Sequence, residues 1–118
     1  ADSNLHNSKS MIIEEYFLYE YRTLSLDALA DRLKLSTRQT QRLLLEYYGK
    51  TFQQKKTEAR MSAASILLGE KGRSIASIAE ELGYSSAEHF SSAFKKYYEI
   101  SPGCYRRERM EFPPYPQA

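Results

Sequence analysis

The chain has 118 residues, 42% of them hydrophobic and 27% charged, which is typical of one globular domain with a buried core. No apolar run approaches the roughly 20 residues that a bilayer-spanning helix needs, and no signal-peptide pattern is present, so we expect a cytoplasmic protein with no membrane partner. The formal net charge of +2 is too small to indicate nucleic acid, so a case for DNA must rest on where individual charges lie.

The sequence contains no motif of an enzyme or of a metal site. Its single cysteine, Cys104, can form no internal disulfide, and its two histidines, His6 and His89, are far apart in the chain. A glycine-rich phosphate loop is missing, as are paired carboxylates with a supporting histidine. We therefore expect a protein that is not an enzyme and that holds no cofactor and no metal.

The N-terminal part of the chain predicts a tail followed by one helix. Residues 1–10 are polar and lack periodicity, which predicts a disordered tail or linker. From Met11 to about Tyr21, apolar residues recur at helical spacing, and the core-facing ones are Ile12, Ile13, Tyr16, Phe17 and Tyr21. The opposite face is acidic and would repel phosphate, so we expect this helix to point away from DNA.

Two shorter helices follow. Ser25 predicts the N-cap of a helix whose inward residues are Leu26, Leu29, Ala30 and Leu33. After a turn at Leu35 and Ser36, a second helix is predicted over residues 37–48, ending at Gly49. Together with the first helix they form a predicted subdomain over residues 11–50.

A long helix is predicted next. Thr51 is its candidate N-cap, and the helix runs from Phe52 to about Leu68 before glycines interrupt it. Such a helix is a rigid spacer about 26 Å long, and recognition helices must lie about 34 Å apart to enter successive major grooves on one face of DNA. We assign residues 51–72 to this linker helix.

The last part of the chain predicts a second pair of helices. Ser74 caps a helix with Ile75, Ile78, Ala79 and Leu82 inward, and Gly83, which can adopt a left-handed conformation cheaply, ends it. A second helix is predicted over residues 86–98, capped by Ser85 or Ser86. Its apolar stripe is Phe90, Ala93, Phe94 and Tyr97. Two short helices with a polar outer face on the second are typical of the helix-turn-helix, whose second helix lies in the major groove.

A final short helix completes this predicted subdomain, which covers residues 73–109. Ser101 caps it and Pro102 begins it, which are the residue types favoured at those positions. Residues 110–118 contain Pro113, Pro114 and Pro116 and cannot continue a helix, so they predict a loose C-terminal tail.

Many residue types at fixed spacings in this region form a specific signature: Ile78, Ala79, Gly83, Tyr84, Ser86, Phe90, Phe94, Lys95, Lys96, Ser101, Pro102, Tyr105 and Arg106. This signature resembles that of the AraC/XylS family of bacterial transcription regulators. The resemblance extends to the linker helix at Phe52, Arg60, Met61, Ala64, Leu67 and Leu68, whereas Lys55 and Lys56 replace the usual aromatic and aliphatic residues. It implies an all-α fold of about seven helices, in which two helix-turn-helix subdomains are joined by a long linker helix.

The implied upstream unit can be aligned with the downstream one as a diverged internal repeat. Leu29 and Ala30 correspond to Ile78 and Ala79, and Leu33 corresponds to Leu82. The resemblance thus implies sequence-specific binding of double-stranded DNA, with recognition helices 37–48 and 86–98 in successive major grooves.

The upstream recognition helix carries the better candidates for reading bases. Its outer face, opposite Leu43, Leu44 and Tyr47, holds Arg38, Gln41, Arg42 and Leu45. Arginine can bond guanine, and glutamine can pair with adenine. Arg42 also occupies the position where the family usually keeps a DNA-contacting arginine. The alternative is an ordinary solvated face in which Arg42 pairs with Glu46 four residues later.

The downstream recognition helix is less suited to base reading. Ser92 stands where that arginine would be, and Ala87 and Glu88 occupy positions where long polar readers are often found. These residues fit two interpretations equally well: a helix that supports docking without reading many bases, and a helix that reads specific bases. The remaining DNA-contact candidates on this helix are His89, Ser91, Lys95 and Lys96. For phosphate, we expect contacts at helix N-termini, which are marked by Ser36, Thr37, Thr51 and Ser86.

A second interpretation is that the chain binds other proteins. Some family members contact RNA polymerase, and many carry a separate N-terminal effector-binding or dimerisation domain, for which this chain has no room. Since residue 1 is not methionine, residues 1–10 are interpreted as an added segment or as the cut end of a longer protein. Either the N-terminal domain was removed or the chain acts alone as a small regulator. An all-helical protein-interaction module without DNA readout would have the same helices, but its duplex binding would be weak at any salt concentration.

Overall fold

The computed structural model describes the backbone of residues 2–111 and the side chains of residues 8–109. Over that range, all regular secondary structure is helical: α1 (Asp2–Tyr19), α2 (Leu26–Leu33), α3 (Thr37–Tyr48), α4 (Phe52–Leu67), α5 (Ile75–Glu81), α6 (Ala87–Tyr98) and α7 (Pro102–Glu111). The chain divides into two compact units, and the boundary in the sequence falls between Arg60 and Met61, within α4. The all-α fold of about seven helices is therefore confirmed.

Side-chain caps fix where most of these helices begin. In each case a hydroxyl oxygen accepts a hydrogen bond from the backbone N–H three residues later, and the capping residues are Ser25, Ser36, Thr51, Ser74, Ser86 and Ser101. Because such caps need only residues adjacent in sequence, these starts agree with the predictions. The single shift is in α6, which begins at Ala87 because residue 86 is the cap itself.

The core of the first unit is built by α1, α2 and α3. Its buried residues are Ile13, Tyr16, Phe17, Leu24, Leu29, Leu33 and Leu44. The Tyr16 hydroxyl donates to the carbonyl of Ser25 at 3.1 Å and accepts from its N–H at 2.8 Å. This buried tyrosine therefore joins α1 to the residue that caps α2.

Lys55 lies inside this unit, where the family usually has an aromatic residue. Its side chain is only 6% exposed, and its ammonium lies over the rings of Tyr48 at 4.2 Å and Phe17 at 5.2 Å. The Glu58 carboxylate lies 3.7 Å from the ammonium. The aliphatic stem thus fills the apolar space while the charge is held by two aromatic faces and one anion.

The N-terminal prediction is wrong in extent. A tail or linker was predicted over residues 1–10, yet α1 begins at Asp2 and ends at Tyr19 rather than near Tyr21. Polar residues at 2–10 carry no apolar period, but they can continue a helix that the packing of Ile13 and Phe17 already stabilises. Two residues of α1, Ser10 and Glu14, contact the Tyr48 hydroxyl of α3. Burial and the hydrogen bond with Glu14 raise the pKa of that hydroxyl to about 12.

The second unit has its own core, which α4, α5 and α6 supply. Its buried residues are Met61, Ala64, Leu67, Leu68, Ile78, Ala79, Leu82, Phe90 and Phe94. The Phe94 ring lies 4.7 Å from that of Tyr98 and 5.4 Å from that of Tyr105, centroid to centroid. The predicted apolar stripe is wrong at its last member, since Tyr97 is 44% exposed and Tyr98 replaces it, donating to the Met61 carbonyl at 3.1 Å.

Two arginines of α7 bond the C-terminal end of α4. The Arg106 Nε donates to the Leu68 carbonyl at 3.0 Å, and Arg109 donates to the Ser65 carbonyl. These carbonyls lie where a helix has unsatisfied acceptors and a negative dipole end, so both bonds stabilise α4. As for the predicted tail over residues 110–118, α7 extends to Glu111, and residues 112–118 lie outside the described residues.

Glu99 ends α6 in a strained backbone conformation. Its φ is +66°, in the left-handed region where glycine is favoured, and its N–H bonds the Lys95 carbonyl. We expect Glu99→Gly to raise the free energy of unfolding by about 1 kcal/mol, because the steric cost of the Cβ disappears. Urea unfolding would measure this. Glu99→Ala is the control, since it removes the charge but keeps the Cβ; equal stabilisation by both variants would contradict the strain argument.

Candidate nucleic-acid interface

The outer face of α3 presents the predicted base readers together. Arg38, Gln41 and Arg42 are all exposed, at relative positions i, i+3 and i+4. The inner face holds Thr40 and Leu44, which are fully buried. Because the buried residues fix the rotation of the helix, the three polar side chains must project on the solvent side.

The two arginines of α3 have no intramolecular role among the side chains that the structure describes. Neither guanidinium takes part in an ion pair or a hydrogen bond there, and the alternative pair between Arg42 and Glu46 is not formed. Two other arginines of the unit are engaged: Arg32 pairs with Glu20 at 2.8 Å, and the Arg60 Nε donates to the Tyr21 carbonyl at 3.1 Å. The donors of Arg38 and Arg42 thus remain available to a ligand.

An apolar side chain that was not among the predicted contacts shares this face. Leu45 is 53% exposed and lies one helical turn after Gln41, at position i+7 from Arg38. It lines a shallow groove whose other residues are Leu26, Gln41, Thr51, Phe52 and Gln53. The signal available in the sequence was an apolar residue within an otherwise polar helix face.

Capping already occupies part of the predicted phosphate sites in the first unit. The Ser36 N–H donates to the Gln39 Oε1 at 3.0 Å while its Oγ accepts from the Gln39 N–H at 3.1 Å. Thr51 and Gln54 form the same reciprocal pair, at 2.9 and 3.1 Å. A phosphate at either residue would therefore replace an internal hydrogen bond, whereas Thr37 is exposed in the first turn of α3.

The outer face of α6 is polar, as expected, but sparse in base readers. Its exposed members are Ser86, Glu88, His89, Ser92, Lys95 and Lys96, while Ala87 and Ser91 are half-buried. The His89 Nδ1 lies 3.2 Å from the Ser85 Oγ, and its ring packs edge-on against Tyr84. His89 thus has a local packing role at the start of α6.

The charges of α6 match its own dipole. Glu88 lies in the first turn, and Lys95 and Lys96 lie in the last turn, where acidic and basic side chains respectively stabilise a helix. In the first unit, Lys50 is paired with Glu58, and the hydrogen bond from Lys50 is the main reason that the pKa of the Glu58 carboxyl is lowered. These lysines therefore carry structural roles beside any contact with phosphate.

Among the described residues, no group of three or more histidine, cysteine, aspartate or glutamate side chains is placed to hold a metal ion. In the same range, no helix has the length and apolar character required to cross a bilayer.

Two helix-turn-helix units, each with a polar, exposed outer face on its second helix, define the DNA-binding domain of a transcription regulator. Residues 29–108 match a family described as a helix-turn-helix domain. The chain belongs to the AraC/XylS family of transcription regulators.

Three similar proteins illustrate this membership. The HTH-type transcriptional activator RhaS of Escherichia coli is 33% identical over 115 residues, which is 92% of this chain and 40% of RhaS. A Haemophilus influenzae protein, an uncharacterized HTH-type transcriptional regulator, is 33% identical over 70% of this chain and 28% of its own length. A solved AraC-type DNA-binding domain-containing regulator from Chromobacterium violaceum is 30% identical, with a TM-score of 0.78, covering 98% of this chain and 99% of that chain. The chain thus spans 28% to 40% of the length of the two relatives compared by sequence.

Proposed function

We propose that this chain binds a specific site on double-stranded DNA and that α3 supplies most of the sequence preference. The observation that carries the proposal is the exposed face of α3, on which Arg38 and Arg42 have no ion-pair or hydrogen-bond partner among the side chains of residues 8–109. Arginine can donate two hydrogen bonds to guanine O6 and N7, and Gln41 can form two hydrogen bonds with adenine N6 and N7. Each such pair gives about 1–3 kcal/mol of discrimination against the wrong base. An arginine needed for stability would be engaged within the protein, as Arg60 is.

We propose a smaller contribution to sequence preference from α6. Its outer face carries short or acidic side chains at Ser92 and Glu88, and Lys95 and Lys96 can attract phosphate without reading bases. In this proposal α6 docks in a second major groove and positions the domain. Since the two recognition helices differ in their polar residues, the bound site should be non-palindromic.

We also propose that the function of the full regulator involves protein partners. RNA polymerase is the partner proposed for transcription activation, and an N-terminal effector-binding or dimerisation domain is proposed because the two relatives compared by sequence are longer than this chain. A cytoplasmic location is part of the same proposal. These partners are compatible with DNA binding through α3 and α6.

Selection of bound duplexes from a random pool tests the DNA proposal. We expect one enriched sequence, and an affinity for it that falls steeply between low and moderate salt because neutralised phosphates release counterions. A control duplex with the selected bases shuffled should keep the salt dependence but lose most of the affinity. Weak binding at every salt concentration, with no enriched sequence, would instead favour a protein-interaction module.

The proposed weakness of α6 predicts a gain of function. We expect Ser92→Arg to raise duplex affinity by about fivefold or more and to increase the salt slope, since an added arginine on an exposed helix face can bond a base or a phosphate. Fluorescence anisotropy at several salt concentrations would measure both. Ser62→Arg on α4 adds the same charge at another exposed serine. An equal gain in both variants, or none in Ser92→Arg, would contradict the placement of α6.

A further inference from the structure

Leu45 is the residue of the α3 face that base hydrogen bonding leaves unexplained. It is exposed beside Gln41 and Arg42, where a polar side chain would be expected on a solvated helix. The unit does not need it for its core, since Leu44 on the same helix is fully buried and makes those contacts. An apolar group kept in water loses the free energy of burial, which a ligand can restore.

We propose that Leu45 contacts the C5-methyl group of a thymine and thereby selects an A·T pair within about two base pairs of the pair that Gln41 reads. This inference rests on the proposed function, because it requires α3 to lie in a major groove. The thymine methyl is the apolar group that base edges present in the major groove, so it is the chemical match for an exposed leucine on a reading helix.

The spacing on α3 supports this assignment. Arg38, Gln41, Arg42 and Leu45 occupy positions i, i+3, i+4 and i+7, the same spacing with which a homeodomain recognition helix reads the major groove. Gln41 and Leu45 are separated by about 6 Å along the helix axis. Since base pairs are stacked at about 3.4 Å, the thymine should lie within about two base pairs of the position read by Gln41.

The neighbours of Leu45 make the contact favourable. Leu26 and Phe52 line the same shallow groove, and Thr51 and Gln53 form its polar part. A methyl group placed against Leu45 would therefore meet an apolar wall on the protein side. Burying one such methyl group changes affinity by about fourfold.

Thymine-to-uracil replacement in the selected duplex tests the proposal, because uracil lacks only the C5-methyl group. We expect one replacement to weaken binding of the unmodified protein by about fourfold, and Leu45→Ala to bind the thymine and uracil duplexes equally. Gln41→Ala would relax the preference at the base pair that Gln41 reads, and this would locate that pair relative to the thymine. Leu18→Ala is the matched control, because Leu18 is a leucine of the same unit, on α1, and is 63% exposed. It should keep the discrimination between thymine and uracil.

The outcomes separate this inference from the proposed function. If every uracil duplex binds the unmodified protein as well as the thymine duplex, the inference is overturned while sequence-specific binding stands. If Leu45→Ala weakens binding but keeps the sensitivity to uracil, Leu45 contacts something other than the methyl group, and the inference is again overturned. If no duplex is selected at all, the proposed function itself fails.

Discussion

Replacing Arg42 by alanine should lower affinity for the selected duplex by about 5- to 150-fold, the value of one bidentate contact between arginine and guanine. Arg42 is exposed on α3 and has no intramolecular partner among the described side chains, so its removal should leave the fold intact. Preference at one base position should relax, because a lost base contact acts on one position whereas a lost phosphate contact weakens all sequences alike. Anisotropy titrations with a panel of duplexes, each mutated at one position, would measure both effects.

Arg22→Ala is the matched control for this experiment. Arg22 is also an exposed arginine of the first unit, but it lies in the turn between α1 and α2 and not on α3. Arg22→Ala removes the same charge as Arg42→Ala, so it reports the general electrostatic effect of a lost positive charge on DNA affinity. A similar loss in both variants, with no change of base preference, would show that Arg42 acts only through its charge.

Replacing Phe94 by alanine should have the largest effect on stability, about 3–5 kcal/mol. Its side chain is fully buried, and its ring contacts those of Phe90, Tyr98 and Tyr105. Removing it leaves a cavity at the point where α6 meets α7, and a loss of this size is comparable to the whole stability of a small unit. Urea unfolding and the amide spectrum of the second unit would report it.

Phe94→Ala should also change how the protein binds DNA. Because α6 would no longer be held, its contribution to DNA affinity should disappear, and the protected site should shorten to the half contacted by α3. Tyr97→Ala, which truncates the exposed aromatic residue on the same helix, is the control and should cost less than about 1 kcal/mol. If Phe94→Ala kept the full protected site, α6 would have no part in binding DNA.

Local chemistry explains why most helix limits could be predicted from the sequence. Ser36 and Gly49 mark the start and the end of α3 because a capping hydroxyl and a left-handed glycine act within a few residues of the chain. The grouping of Arg38, Gln41 and Arg42 on one face could also be predicted, since it follows from the helical period once Leu44 is known to point inward.

Other features depend on neighbours that are distant in the chain. The start of α1 at Asp2 was missed because its first residues have no apolar period. The exposure of Tyr97 was missed because two adjacent tyrosines fit the stripe about equally, and only packing against Met61 and Phe94 chose Tyr98. That Lys55 is buried also required the rings of Phe17 and Tyr48, which come from two other helices.

The helices and their pairing into two helix-turn-helix subdomains follow from the sequence alone, because caps, turn glycines and apolar spacing are encoded within short stretches of chain. The family follows from the signature residues, which are likewise read directly from the chain. Which polar groups remain available to a ligand depends on the packed fold. Partners of a side chain can lie anywhere in the fold, so it took the packed chain to show that Arg60 is committed to the backbone near Tyr21 while Arg38 and Arg42 are not. The helical period already places Leu45 on the outer face of α3, whereas the groove that it lines with Leu26 and Phe52 depends on the packing of three helices.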